Sequence, residues 1–289
     1  MGNVKIITDS TADIPKSLAK ELGITVIPIN VHLDGESYQD GINITPDEFY
    51  LKMSRTDQLP TTSQPSPLDI VSAFKRAVFD GAKEIISFHI SSRMSGTYQS
   101  ALLAKSMVEE EYPDVKIEVV DTKTVTFCLG VIVVLVARAA KEGKPFSELL
   151  SMAMKIRQEQ KLLALVDTLE YLQKGGRIGK AAALVGTLLN IKPIITINDD
   201  GEVEAVDKAR GNKKAVQKVF DGLKKEASGR PVALAVIHAA KREQAEQWMA
   251  RAQELFDIRE QHVVDIGPAV GTHAGPGTIG CIIVPMDRL

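Results

Sequence analysis

Short apolar runs alternate with helical patterns along the first half of this chain. Apolar runs of strand length occur at residues 4–8, 24–31, 84–90 and 115–120. Between and before these runs, helical patterns occur at residues 15–22, from Pro46 onward, at 67–79 and at 98–111. Strands that alternate with helices form parallel sheets with helices on both faces, so we predict a mainly parallel sheet here.

The second half has longer helical segments, and residues 199–202 (D-D-G-E) are typical of a hairpin turn. Helical patterns cover residues 127–137, 146–162, 172–189, 212–227 and 241–256, and strand patterns cover 192–197, 203–209, 232–238 and 281–285. We therefore predict an α/β protein of two domains. Residues 1–155 would form a three-layer α/β/α domain with a mainly parallel sheet, and residues 156–289 a two-layer α/β domain with a mixed sheet.

Two hydroxyl-rich segments, residues 61–67 and 91–97, each lead into a predicted helix. The first N–H groups of a helix, together with nearby hydroxyls, can hold an anion. Ser and Thr also cap helices and shape turns, so both interpretations stay open. We expect residues 9–11, 91–97 and 121–122 to converge, because ligands of parallel sheets bind beyond the carboxyl ends of the strands.

Composition narrows the class of partner. The 289 residues are 44% hydrophobic and 25% charged, with a formal net charge of −2, which does not favour nucleic acid or an anionic membrane as an electrostatic partner. Cys128 and Cys281 lie among apolar residues and favour buried free thiols, which fits a reducing cytoplasm. No signal peptide is indicated at the N-terminus. The most apolar stretch, residues 127–137, is shorter than the ~20 residues of a membrane span and predicts a buried helix.

Several motifs of catalysis or nucleotide binding fit poorly. Residues 275–280 match G-x-G-x-x-G, but they precede a strand and contain Pro276. In residues 174–180 the spacing between the glycines is one residue shorter than in a phosphate loop. A glycine-rich connection between two helices, with solvated Lys and Arg side chains, is an alternative interpretation. Ser95 lacks the G-x-S-x-G context of a nucleophile, although a spatial Ser–His pair stays open.

Two histidines have different expected roles. His89 lies in an apolar strand and is predicted to be a satisfied core residue. His273 lies in a glycine-rich loop, where a ligand role and a purely structural role are equally compatible with the pattern.

Five segments of the sequence together resemble those of the DegV family, a family of bacterial fatty-acid-binding proteins. They are residues 7–15 (I-T-D-S-T-A-D-I-P), 61–67 (T-T-S-Q-P-S-P), 91–100 (S-S-R-M-S-G-T-Y-Q-S), 175–178 (G-G-R-I) and 272–278 (T-H-A-G-P-G-T). These segments span essentially the whole chain. The resemblance implies a DegV-like two-domain fold that holds a long-chain fatty acid, such as palmitate, stearate or oleate, between its domains.

The resemblance also implies the residues around the fatty acid's head group. The implied carboxylate-binding positions are Thr62, Ser63, Ser95 and Gly96, and the positions bordering the head group are Arg177, His273 and, by a less direct match, Arg210. No catalytic residue, cofactor or metal ligand is implied for this chain.

A partner is implied as well. Some members of the family present the fatty acid to a separate ATP-dependent fatty acid kinase, related to dihydroxyacetone kinases, which makes an acyl phosphate for phospholipid synthesis. We therefore expect a cytoplasmic carrier rather than an enzyme, without nucleic acid as a partner, and transient membrane contact is compatible with that role. The alternatives are a Ser-dependent acyl hydrolase using Ser95 and His273, and a regulatory protein in which the lipid is incidental.

Overall fold

The computed structural model describes residues 4–185 and 191–287. The first elements, in chain order, are β1 (Val4–Asp9), α1 (Lys16–Leu22), β2 (Thr25–Ile27), β3 (Asn30–Leu33), β4 (Glu36–Gln39), α2 (Pro46–Met53), β5 (Thr61–Ser63), α3 (Pro67–Phe79), β6 (Glu84–His89), α4 (Thr97–Glu111), β7 (Lys116–Asp121), α5 (Phe127–Lys141) and α6 (Phe146–Glu159). They are followed by β8 (Lys161–Leu165), α7 (Glu170–Lys174), β9 (Ile191–Ile197), β10 (Val203–Arg210), α8 (Asn212–Ala227), β11 (Val232–His238), α9 (Arg242–Leu255), β12 (Ile258–Asp265), α10 (Pro268–Ala274) and β13 (Ile279–Pro285). Short 3₁₀ turns occur at Ser10–Ala12 and Gly179–Leu184.

The first sheet is parallel, with the strand order β2-β1-β6-β7. Successive side chains of a strand point to opposite faces. Ile7 and Ile85 accordingly pack in the cluster with α3 and α4, whereas Ile6 and Ile86 pack in the cluster that contains α5. This arrangement confirms the predicted three-layer α/β/α architecture.

The second sheet is mixed, with the order β10-β9-β8-β13-β11-β12. Its neighbouring strands are antiparallel except for the parallel pair of β11 and β12. One face packs against α8 and α9, through residues such as Leu163 and Val236. The other face contributes Leu162, Ala164 and Ile237 to the same core cluster as α5 and α6. The predicted α/β layer with a mixed sheet is therefore confirmed.

Helix α5 is buried along almost its whole length, as predicted for residues 127–137. It packs on β1 and β6 on one side, and its Arg138 and Phe127 contact Glu260 and His262 of β12 on the other. An apolar helix is favoured here because it lies between the two large sheets. None of the described helices combines the length and the apolar character that a membrane crossing requires.

A third sheet, antiparallel with the order β4-β3-β5, was not predicted. The run 24–31 was predicted as one strand, but it is split at Pro28 between β2 of the first sheet and β3 of the third. Proline cannot donate a ladder hydrogen bond, which favours a change of sheet at this position. The consequence is that β5, which contains Thr62, lies beside β3, with Thr62 paired to Val31.

Other predictions in the second half were wrong. The helix predicted at 146–162 ends at Glu159, and the next residues form β8, a short apolar run that periodicity alone does not distinguish from a helix. Residues 172–185 form only the end of α7 and a 3₁₀ turn, and residues 186–189 of that predicted helix lie outside the described residues. Strand β12 and helix α10 were not predicted.

The division of the chain at residue 155 stays a prediction. Strands of the parallel sheet come from residues 4–121 and strands of the mixed sheet from residues 161–285, which is compatible with it. Helix α10 follows β12 in sequence but contacts α2 and β3 in the first half. Parts of both halves therefore meet around α10.

Candidate functional site

The carboxyl ends of β1, β6 and β7 lie side by side and are joined by side-chain hydrogen bonds. The Asp9 Oδ2 atom accepts from the backbone N–H of Ile90 at 3.1 Å. Thr122 Oγ1 donates to the carbonyl of His89 at 2.7 Å, and Ser92 donates to Asp121. The predicted convergence of residues 9–11, 91–97 and 121–122 is thereby confirmed.

A buried Ser–His–Asp array lies within this sheet. His89 Nε2 is 2.8 Å from Ser87 Oγ, and His89 Nδ1 is 3.0 Å from Asp9 Oδ2. All three residues have no exposed surface, so a substrate has no access to the Ser87 hydroxyl. The array instead connects β1 to β6, and His89 is the satisfied core histidine that the sequence predicted.

A cavity of about 460 Å³ lies where the carboxyl end of the parallel sheet meets the inner face of the mixed sheet. Most of its wall is apolar, including Ile29, Ile90, Leu162, Ile195, Ile237 and Ile266. This volume is within the range of about 300–1,000 Å³ found for small-molecule sites. The cavity therefore has the size and the lining of a site for an apolar ligand.

Seven polar or small residues line another part of the cavity, and we call them the polar wall. They are Thr62, Ser63, Gln64, Ser95, Gly96, Arg177 and His273. Two pairs of these residues are in close contact: Thr62 Oγ1 lies 2.9 Å from His273 Nε2, and a Cβ atom on Gly96 would collide with the amide oxygen of Gln64. The fold therefore brings together residues from four distant segments of the chain.

His273 is uncharged at neutral pH. Burial and, to a smaller extent, the neighbouring Arg177 guanidinium together lower its pKa to about 4. Its Nδ1 atom is buried without a hydrogen-bond partner in the described part of the chain. A neutral imidazole has one N–H, so either Nδ1–H or the hydroxyl of Thr62 is left as a free donor, whichever tautomer is present.

Arg177 is held between the loop after α7 and the loop before α4. Its Nε donates to the carbonyl of Met94 at 3.0 Å, and one terminal nitrogen donates to the carbonyl of Gly175 at 2.7 Å. The guanidinium has five N–H donors, so further donors stay available for an anion. Among the described residues of the cavity wall, Arg177 is the one charged cation.

Ser95 and Gly96 precede α4. Gly96 is the N-cap residue, so α4 begins at Thr97, one residue before the predicted start. Ser95 Oγ accepts from the N–H of Thr97 at 3.3 Å and lies 2.8 Å from Thr97 Oγ1. If Thr97 is the donor of the second bond, the Ser95 hydroxyl is free to donate to a ligand beside the positive end of a helix.

Two predicted site residues have other placements. Ser63 lines the cavity, but its exposed hydroxyl lies 2.9 Å from His32 Nε2. Arg210 is the exposed last residue of β10 and is absent from the described wall of the cavity. Their roles at the head group stay predictions, without support from these positions.

Four polar residues of the described wall were not among the predicted site residues: Thr11, Gln64, Thr126 and Thr278. Thr11 nevertheless lies in the segment 9–11 that was expected to converge there. Gln64 donates to Ser100 Oγ at 2.9 Å and lies within a segment that was noted only for its hydroxyls. Thr126 has a φ of 54°, which is rare for a β-branched residue, and donates to Asp13 at 2.6 Å. The hydroxyl-rich sequence before α5 was the available signal for Thr126.

The catalytic arrangement of a hydrolase is not formed by Ser95 and His273. Both line the cavity, but Ser95 Oγ is bonded to Thr97 and His273 Nε2 to Thr62. A nucleophilic serine requires a base within hydrogen-bond reach, with a third group that orients the base. The observed contacts of these two residues do not supply that chain.

A second pocket, of about 240 Å³, adjoins the cavity, and we call it the outer pocket. Thr62, Arg177 and His273 line both spaces. The outer pocket adds the exposed cation Lys174, whose ammonium group is 2.5 Å from Glu170. These shared side chains therefore lie between the apolar cavity and a more polar pocket.

Neither cysteine contributes to this chemistry. Both are buried free thiols, as predicted, and burial raises the pKa of Cys128 to about 12 and also raises that of Cys281. Within residues 4–185 and 191–287, no group of three or more His, Cys, Asp or Glu is arranged to hold a metal ion.

Comparison with known proteins identifies the family. The sequence model of the DegV family, whose members it describes as uncharacterised, matches residues 3–286. The chain belongs to the DegV family. A DegV domain-containing protein of Clostridium perfringens is 37% identical over 278 residues, covering 96% of this chain and 97% of that protein. The resemblance of the five sequence segments is therefore confirmed.

Solved structures of the DegV family share the fold. A fatty acid binding DegV family protein from Thermus thermophilus has 35% identity and a TM-score of 0.89, covering 99% of this chain and all of that one. DegV of Bacillus subtilis, a fatty acid binding protein, has 30% identity and a TM-score of 0.89 with the same coverage. A stearic acid-binding protein from Eubacterium ventriosum has 30% identity and a TM-score of 0.90, covering 98% of both chains. The DegV-like α/β fold is thus shared over essentially the whole chain.

Proposed function

We propose that this DegV family protein binds a long-chain fatty acid in the cavity, with the carboxylate at the polar wall. One observation carries the proposal: an apolar cavity of about 460 Å³ is combined with a polar wall in which the Thr62–His273 pair has one hydrogen-bond donor without an acceptor. Fatty acid binding by the Thermus thermophilus, Bacillus subtilis and Eubacterium ventriosum relatives supports it.

Burial of the acyl chain supplies the affinity. At about 0.8 kcal/mol per buried CH₂, a palmitate chain offers roughly 12 kcal/mol of gross transfer free energy. Loss of translational and rotational freedom offsets a large part of this gain. Palmitate, stearate and oleate are the ligands that we expect, because each carries a long apolar chain and one carboxylate.

The carboxylate must be hydrogen-bonded, because an unpaired charge in a poorly solvated site is costly. We assign the main contacts to the hydroxyls of Thr62 and Ser95, with the Gly96 N–H and Ser63 nearby. Arg177 and His273 border the head group. His273 remains neutral above its pKa of about 4, so it contributes a donor rather than a full charge.

We further propose that the bound fatty acid is presented to a separate ATP-dependent kinase related to dihydroxyacetone kinases. A carboxylate oxygen would attack the γ-phosphorus of ATP held by the kinase, the bond to the ADP oxygen would break, and an acyl phosphate would form. The outer pocket supports this step, since it adjoins the three side chains that border the head group. Arg177 and Lys174 would stabilise the added negative charge.

The lipid-binding proposal is tested by organic extraction and mass spectrometry of the purified protein, followed by titration of the delipidated protein with palmitate. Ser95→Ala should weaken binding by roughly 10- to 150-fold, the effect of losing one hydrogen bond to a charged group. Ser106→Ala, an exposed serine on the same helix, is the matched control. No extracted lipid and no binding of added palmitate or oleate would refute the proposal.

The kinase proposal is tested with the palmitate-loaded protein, ATP, magnesium and a purified dihydroxyacetone-kinase-like kinase, with hydroxylamine to trap acyl phosphate as a hydroxamate. Arg177→Ala should lower hydroxamate yield more than palmitate affinity. Arg76→Ala, which changes an exposed arginine of α3 outside the described cavity wall, should match the wild type. Equal yields from wild type and Arg177→Ala would remove Arg177 from the transfer step. Labelling of Ser95 by a fluorophosphonate would instead favour the hydrolase.

A further inference from the structure

Helix α10 is held at its start by two aspartates from the first half of the chain. Asp13 Oδ1 accepts from the N–H of Gly267 at 3.0 Å, and Asp40 Oδ2 accepts from the N–H of Ala269 at 3.3 Å. Both carboxyl groups are nearly inaccessible, with 9% and 5% of each residue exposed. The same helix contains His273 in its last turn.

The two carboxyl groups approach the same backbone atom. A Cβ atom on Gly267 would lie 2.8 Å from Asp13 Oδ1 and 3.4 Å from Asp40 Oδ1. Glycine at this position therefore allows both acids to reach the chain before α10. We call Asp13, Asp40, Gly267 and Ala269 the aspartate clasp.

The remaining contacts connect the clasp to the cavity. Thr126 donates to Asp13 Oδ2 at 2.6 Å, and Ser10 donates to Asp40 Oδ2 at 2.9 Å. Thr126 and Ala269 are themselves part of the cavity wall. A shift of the clasp would therefore move one side of the cavity together with α10.

We propose that Asp13 and Asp40 are positioning residues that hold α10 so that His273 stays against Thr62 in the polar wall. The functional consequence rests on the proposed binding of a fatty acid, but the positioning of His273 does not. Neither acid contacts the space that we assign to the head group. They act through the backbone of residues 267–269.

The electrostatic surroundings make this clasp sensitive to protons. Burial raises the pKa of Asp40 to about 6, with the charge of Asp9 acting in the same direction and Lys16 against it. Burial, Asp40 and Asp265 raise the pKa of Asp13. Tyr50 donates to the carbonyl of Ile266 at 2.9 Å, and burial raises its pKa, so it is neutral. Two neighbouring buried carboxylates disfavour double ionisation, so the pair retains a proton more readily than isolated acids do.

The sign of the pH effect follows from the raised pKa values. The folded state binds more protons than the unfolded state between pH 3.8 and about 6 for Asp40, and the raised pKa of Asp13 acts in the same direction. These groups therefore lower the free energy of unfolding as pH rises. The contribution of Asp40 to stability is therefore present in full below pH 3.8 and is lost as pH rises through about 6.

Amide and alanine variants separate charge from contact. Asp40 Oδ2 accepts both of its bonds, so Asp40→Asn can retain both with one amide oxygen, and Asp13→Asn can accept from Gly267. Asp13→Ala and Asp40→Ala remove the acceptors. We expect the alanine variants to release fatty acid about tenfold faster, because each loses two hydrogen bonds that hold the chain around α10. The amide variants should keep the wild-type release rate near pH 6 and show a flatter pH profile.

The decisive readout is the titration of His273 in protein with ¹³C-labelled histidine, followed by NMR without any ligand. His273→Gln assigns the signal, and His32 serves as an internal reference outside the clasp. In the wild type and the amide variants the pKa of His273 should stay near 4, whereas in the alanine variants it should rise toward 6.5, because the ring is no longer held in a buried position.

The outcomes distinguish the two proposals. Folded alanine variants with an unchanged His273 titration would overturn the clasp, whatever their thermal stability. Failure of the wild type to bind palmitate would overturn the proposed function and leave the His273 titration to judge the clasp. If the alanine variants do not fold, Gly267→Ala decides, because its new Cβ would lie 2.8 Å from Asp13 Oδ1 and displace the clasp: an unchanged His273 titration in that variant would refute the proposal.

Discussion

Replacement of Thr62 by valine is the most direct test of the polar wall. Valine has nearly the shape of threonine but no hydroxyl, so the cavity volume is preserved while one hydrogen-bonding group is lost. In the free protein the lost contact is the 2.9 Å bond to His273 Nε2. In the complex the lost contact would be a donor to the fatty acid carboxylate.

The magnitude follows from the charge of the acceptor. A hydrogen bond to a charged group contributes about 1.5–3 kcal/mol, so Thr62→Val should weaken palmitate binding by roughly 10- to 150-fold. The unfolding free energy of the ligand-free protein should fall by only about 1 kcal/mol, since a bond between two neutral groups is lost. Binding should therefore respond more strongly than stability.

Isothermal titration of delipidated protein with palmitate, together with chemical denaturation, measures both quantities. Thr61→Val is the matched control, because Thr61 is the exposed neighbour in β5 and lines the outer pocket rather than the cavity. Palmitate affinity of Thr62→Val within about twofold of the wild type would refute the assignment of Thr62, since the change would be under 0.5 kcal/mol. Equal losses in both variants would indicate damage to β5 instead.

Three further predictions concern the same cavity. Gly175→Ala should displace the His273 ring, because the new Cβ would collide with its Nδ1, and palmitate titration should therefore show weaker binding. Gly176→Ala is the control: a Cβ there meets open space, so this variant tests the effect of the altered loop backbone alone. Ala164→Leu should fill part of the cavity and shift the preference toward shorter acyl chains in a competition assay read by mass spectrometry, and an unchanged preference would place the chain elsewhere. The folded-state pKa of His273, about 4, lies below its ordinary value of 6.5, so this residue lowers stability as pH falls through that interval. His273→Gln should therefore reduce the acid-induced loss of stability, measured by denaturation at several pH values. An unchanged loss would contradict the burial of this imidazole.

Local interactions explain what the sequence determined by itself. The start of α2 at Pro46 was predictable, because Thr45 and Glu48 form a capping box within one helical turn. The strands β1, β6 and β7 could be recognised from their apolar runs, and their parallel pairing follows from the helices between them. The convergence of their carboxyl ends was therefore predictable as well.

Long-range packing decided the rest. The runs that became β8 and β12 carry no periodicity that separates them from other structures, and only their neighbours in the mixed sheet make them strands. Thr62 and His273 are 211 residues apart, and Asp13 is 254 residues from Gly267. Periodicity reports which face of an element is buried, but not which distant element covers it. The sequence alone therefore determined the α/β pattern and its hydroxyl-rich segments, whereas the tertiary structure decided which polar groups meet at one cavity.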